Sequence, residues 1–120
     1  MNKEQVFEAV KVAYKALDDK MGIDIKVIDI SNLSPIADYF VVASASNSSQ
    51  LRAMADAVEE ELHKKCNIEK THIEGFQTKS WILLDFRDIV VHLFNEEDRE
   101  FYNIERIWVD AEIIDESLLK

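Results

Sequence analysis

The sequence predicts one mixed α/β (α+β) domain, with elements in the order α-β-β-α-β-β-β-α and a five-stranded mixed sheet flanked by helices. Three observations predict it. Apolar residues recur at helical spacing in two long segments and alternate, or run continuously, in five short ones. Two glycines and one proline in 120 residues leave little chain for irregular structure. Hydrophobic residues at 48% and charged residues at 32% are the balance of a chain that buries a core. The length suits one domain, assigned to residues 1–110, with 111–120 as an acidic C-terminal tail.

The first helix spans residues 3 to 20, where Val6, Phe7, Val10, Ala13, Tyr14 and Leu17 share a face. Gly22 is placed to supply the left-handed residue that ends it. From Ile23 to Ile30, Ile23, Ile25 and Val27 alternate with Asp24 and Lys26, the pattern of a strand with one wet face. Ser31 to Pro35 is a loop, because Pro35 lacks a donor and biases Ser34 away from helix. Asp38 to Ser44 is apolar on both sides at its centre, which marks an interior strand. Asn47 and Gln50 have capping-box spacing at the head of a second helix. Leu51, Met54, Ala55, Val58, Leu62 and Cys66 form its buried stripe, and Glu60–Lys64 and Glu61–Lys65 are favourably ordered pairs on its outer side.

Thr71 to Glu74 is a short strand. Ser80–Phe86 and Ile89–Phe94 form a hairpin about Arg87-Asp88. Asn95 caps a short helix from Glu96 to Tyr102, and Asn103 to Val109 continues as turn or helix. A two-residue turn fixes the hairpin register: Phe86 with Ile89, Asp85 with Val90, Leu84 with Val91, Leu83 with His92, Ile82 with Leu93, Trp81 with Phe94. One face is then wholly apolar and must meet the helices. The other carries Trp81, Leu83, Asp85, Val90, His92 and Phe94, aromatic and apolar yet holding a carboxylate and an imidazole. Such a face is either an interface centre or a second core covered by the segment with Trp108.

A net charge of -10, from 24 acids against 14 bases, repels phosphate backbones and disfavours nucleic acid as the main contact. The same charge attracts a basic protein. No apolar run approaches the roughly 20 residues of a membrane span, so no membrane contact is expected and the cytoplasm is the expected compartment. Catalytic signatures are missing. Asp38, Ser44, Asp85 and His92 show no convergence, His63 and Cys66 lack a second cluster for zinc, and no glycine-rich phosphate loop exists. No metal or cofactor is expected.

Several ordered blocks resemble the ribosomal silencing factor family (RsfS, also called Iojap). They are Lys20 with Asp24-Ile25, Val27-Ile28-Asp29, Ala37 to Ser44, Ser49-Gln50, Glu74-Gly75, Trp81 to Phe86, Asp88 to Phe94, and Arg99 to Tyr102 leading to Glu105 and Trp108. Ala45 and Arg87 stand where the family often has glycine. The resemblance implies a nucleotidyltransferase-like fold without catalysis. It also implies binding to large-subunit ribosomal protein fourteen, which blocks joining of the ribosomal subunits and represses translation when nutrients are short. The expected contact residues are Trp81 and Phe94 as anchors, Asp85 as charge partner and His92 as hydrogen-bonding group, with Glu74, Arg99 and Tyr102 behind them. The alternatives are a nucleotide- and metal-dependent transferase using Asp38 and Asp85, and a homodimer joined through the same aromatic face.

Overall fold

Asn2 starts the first helix. Its side chain accepts from the Gln5 N–H at 2.9 Å while the Gln5 side chain accepts from the Asn2 N–H at 3.0 Å, a reciprocal cap on helix α1, Lys3–Asp19. The computed structural model describes residues 2–33, 35, 37–75, 81–96 and 111–119. Helix α1 buries Val6, Ala9, Val10, Ala13, Tyr14, Ala16 and Leu17, the stripe expected of it. Its end differs from expectation. The left-handed residue is Met21, at φ 63°, and Gly22 lies one step beyond. The N–H groups of Met21 and Gly22 donate back to the carbonyls of Asp18 and Leu17, closing the helix. Gly22 serves by lacking a side chain, because a Cβ there would stand 3.0 Å from the Leu17 carbonyl oxygen and 3.2 Å from the Met54 methyl.

Strands β1 (Ile23–Asp29) and β2 (Tyr39–Ala45) pair antiparallel, and helix α2 (Ser48–Cys66) follows. Strands β3 (His72–Glu74), β4 (Trp81–Asp85) and β5 (Ile89–Asn95) form an antiparallel run, and β5 lies parallel to β2. The chain returns in β6 (Glu112–Ile113), paired antiparallel with β1, and in a 3₁₀ turn at Glu116–Leu118. Among the described residues the sheet therefore has six strands, ordered β3-β4-β5-β2-β1-β6. The sixth strand was missed because two residues carry no readable alternation, and residues 111–119 pack on the fold where an acidic tail was expected. Leu119 is buried, Ile114 packs on the core, and the Tyr14 hydroxyl donates to Glu116 at 2.8 Å. Glu96 is helical; the rest of the expected helix to Tyr102, and Asn103–Val109, lie outside the described residues.

The expected hairpin register holds at every pair from Trp81–Phe94 to Asp85–Val90. Its wholly apolar side, Ile82, Leu84, Phe86, Ile89, Val91 and Leu93, joins the main core with both helices. The single wet face expected for β1 does not hold. Val27 enters the helix-side core, while Ile28 and Ile30 are buried on the opposite side with Val42, Val90 and Phe94. A bulge between Ile23 and Lys26, with Asp24 at φ 50°, breaks the alternation that the sequence displays. β2 sits between β1 and β5, the interior place its apolar centre called for.

Candidate docking interface

The sheet face turned away from the helices is built in rows by strand register. The first row runs His72, Asp85, Val90, Phe40, Ile28 and Ile113 across all six strands. The second runs Glu74, Leu83, His92, Val42 and Lys26, and the third Trp81, Phe94 and Ser44. Directly opposed side chains share a face, so these three rows are one surface.

Its middle is a second core. Val90, His92 and Phe94 are buried, with Phe94 only 1% exposed, whereas Trp81, Leu83, Asp85 and Phe40 are half-buried. This divides the expected contact residues. Phe94 was expected to anchor a partner, but its ring is spent inside the chain. His92, at 7% exposure, is likewise enclosed. Trp81 and Asp85 keep accessible surface, and Glu74 is exposed on β3 beside Leu83. Arg99 and Tyr102 lie outside the described residues, as does Trp108.

The polar groups of this face are arranged locally. One Asp85 carboxylate oxygen accepts the Arg87 N–H at 2.8 Å, and the Asp85 carbonyl accepts from the Thr71 N–H and hydroxyl. His72 and Glu74 meet through a 2.9 Å contact. The His92 ring lies edge-on to Phe40, centroids 4.8 Å apart, and neither of its nitrogens has a hydrogen-bond partner. Burial pushes its pKa down to about 4, so it is neutral at pH 7. His72, Leu83, Phe40 and Ile113 were not singled out beforehand as contact residues. The partner strand of β4 could have been read from Thr71–Glu74, but no sequence signal gives the register that brings His72 beside Asp85.

The transferase alternative finds no support in this geometry. Asp85 ends β4 and Asp38 precedes β2, with β5 between, so their backbones are about 10 Å apart. Among the described residues, no group of three or more His, Cys, Asp or Glu is placed to hold a metal ion. Nor is any helix among them long and apolar enough to cross a membrane. Cys66 is half-buried and its thiol is pushed up, chiefly by burial, away from the thiolate a nucleophile needs.

Comparison with known proteins adds four likenesses. The family model described as ribosomal silencing factor during starvation matches residues 3–120. The ribosomal silencing factor RsfS of Bacillus subtilis is 34% identical over 115 residues, covering 96% of this chain and 94% of that protein. The chloroplastic protein Iojap of Arabidopsis thaliana is 35% identical over 108 residues, 90% of this chain but 44% of the plant protein. A crystal structure of a protein from Chromobacterium violaceum superposes with a TM-score of 0.82 at 32% identity, covering 90% of this chain and 87% of that one.

Proposed function

Because the chain belongs to the ribosomal silencing factor family, a family of ribosome regulators and not of enzymes, we propose that it silences by occupying the large subunit's joining face. The contact is with large-subunit ribosomal protein fourteen, and the outcome is a block to subunit joining and lower translation under nutrient limitation. The observation that carries this reading is the half-open stretch of sheet at Trp81, Leu83 and Asp85, an aromatic and apolar patch with an acidic edge, on a chain matched along nearly its whole length.

The physics asks for no chemistry. The chain measures 35 × 33 × 27 Å. A rigid body of that size, seated where two surfaces close to direct contact, holds them apart by volume. A patch of about 800 Å² per partner suffices for a stable complex. Trp81 supplies the anchor, since a large ring gives contact area at little entropic cost. Asp85 and Glu74, on a chain of net charge -10, draw it toward basic protein surface.

Sedimentation of purified subunits through a sucrose gradient tests the reading. The expected result is co-migration with the large subunit alone and fewer joined ribosomes as protein is added. Trp81→Ala should weaken large-subunit binding by roughly 30-fold, the equivalent of about 2 kcal/mol, with an unchanged circular dichroism spectrum. Protein that stays at the top of the gradient, or self-associates through this face in preference to binding the subunit, overturns it.

A further inference from the structure

The anchor role of Trp81 rests on the docking reading above, and a neighbour on β3's far end controls where that ring lies. Gly75 follows Glu74, the last paired residue of β3, and its φ is 75°. This left-handed turn takes the chain out of the ladder, and it directs the missing side chain toward Trp81. A Cβ built there would overlap the Trp81 carbonyl oxygen, stand 2.8 Å from Cε3 of the indole and 3.1 Å from the Trp81 carbonyl carbon. The backbone at Gly75 therefore lies directly against one side of the indole and against the peptide that carries it.

Two separate constraints select glycine at this position. Positive φ is uncommon for side chains other than Asn or Asp. Contact below 3.0 Å from a Cβ to a ring and a carbonyl leaves no room for even a methyl group. The first could be met by Asn; the second could not. A glycine demanded by φ alone is a turn residue, but one that also seats an aromatic ring fixes that ring's orientation.

We propose that Gly75 is the positioning residue of the docking face: it forms the seat on which the Trp81 indole rests, so that the ring is held ready for the partner instead of being ordered on binding. A ring held in place loses less rotamer freedom on docking, and pre-organisation of this kind appears as affinity. Any side chain at position 75 displaces the indole and carries the anchor out of register with Leu83 and Asp85 on the same face.

The test is a double-mutant cycle of Gly75→Ala and Trp81→Ala, reading large-subunit binding, with 5-fluorotryptophan incorporated and the two tryptophans followed by fluorine NMR. Gly75→Ala should weaken binding about ten-fold or more, and the double variant should bind within about two-fold of Trp81→Ala alone. The fluorine resonance lost in Trp81→Ala should be the one that moves in Gly75→Ala. If Gly75→Ala does not fold, the unaltered chain carries the test: the Trp81 fluorine resonance, identified by its loss in Trp81→Ala, should be single and narrow in the free protein, and a resonance broadened or split by exchange between ring orientations overturns the proposal. Losses that multiply in the double variant overturn the proposal, since Gly75 would then act independently of Trp81. So does a moved resonance with unchanged affinity. In both cases Trp81→Ala still binds weakly and the docking reading stands. If Trp81→Ala binds as the unaltered chain does, the docking reading fails and the proposal with it.

Discussion

His92 lies parallel to Phe94 two residues along β5, their ring centroids 6.3 Å apart and their planes 4° from parallel. Phe40 closes on the imidazole edge-on from β2, and both ring nitrogens are buried without a hydrogen-bond partner. Apolar burial makes the charged form costly, which holds the pKa down to about 4 against an ordinary 6.5. The unfolded chain therefore takes up a proton at a higher pH than the folded one. The stability tied to this group is fully present above pH 6.5 and is lost as pH falls toward 4, to the extent of about 3 kcal/mol. Urea unfolding at pH 7, 5.5 and 4.5 should show that decline. His92→Phe should lessen it, and should raise stability at pH 7 by about 1 kcal/mol, because an unmet polar group leaves the core.

Arg87 is strained for the sake of the hairpin. Its φ is 75°, the Asp88 N–H donates to the Phe86 carbonyl across it at 3.1 Å, and Phe86 and Ile89 close the loop through a 2.9 Å hydrogen bond. A three-residue turn of this hand is rare for side chains with a Cβ. Arg87→Gly should relieve about 1–2 kcal/mol of strain and return part of that as unfolded-state entropy, for a net gain of about 0.5–1 kcal/mol. The midpoint of urea unfolding should rise with an unchanged slope. A fall would mean that the Arg87 side chain makes a contact worth more than the strain.

Arg87 also shows why the register was legible while the turn was not. Pairing from Trp81–Phe94 to Asp85–Val90 follows from one assumption, a two-residue loop, and from the apolar alternation on each arm. Arg87 is not a residue that a two-residue primed turn favours, yet burial of a six-residue apolar face outweighs one strained φ. The site was half legible for a related reason. Residue type identified an aromatic face with a carboxylate and an imidazole, but not which of its rings the fold encloses. Phe94 is enclosed, while Trp81, its direct partner on β4, is half-open. Strand order came from the parallel β2–β5 pairing, a contact between segments some fifty residues apart in sequence that leaves no local trace. The β6 return was hidden likewise, since Ile113 and Glu112 hold β1 through backbone groups that every sequence possesses.

Gln50 joins the two helices end to end. Asn47 caps α2 by accepting the Gln50 N–H at 2.8 Å, as the spacing foretold, but the return bond of a capping box does not form. The Gln50 side-chain oxygen accepts instead from the Ser46 N–H at 2.7 Å, and its amide donates to the carbonyls of Lys20 and Met21 at 3.1 and 2.9 Å. One side chain thus ties the two residues that follow α1 to the loop before α2. Gln50→Ala should cost about 0.5–1.5 kcal/mol, the net worth of hydrogen bonds to backbone groups that water can also reach. Gln50→Glu should lose the amide's donor bonds while keeping the acceptor. Amide exchange at Ser46 should quicken in the alanine variant and much less in Gln50→Glu.

Leu119 secures the C-terminal return in a similar way. Its side chain is buried in the main core, Ile114 donates its N–H to the Val27 carbonyl at 2.9 Å, and Glu116 accepts from Tyr14. Each contact is small, and together they hold nine residues against α1 and the outer edge of β1. Leu119→Ala should cost about 2–3 kcal/mol, toward the low end for a buried leucine because it follows a single 3₁₀ turn that can shift to close the space. The loss should propagate. Burial first, and the Glu116 carboxylate second, push the Tyr14 phenol up to about 12. If Leu119 is what keeps Glu116 in place, ultraviolet titration of Leu119→Ala should show the Tyr14 phenol ionising closer to 10. Adding Tyr14→Phe to that variant should then cost much less than it does in the unaltered chain, because the two groups act through one docked segment. Full additivity of the two substitutions would show instead that the 3₁₀ turn stays docked without its leucine.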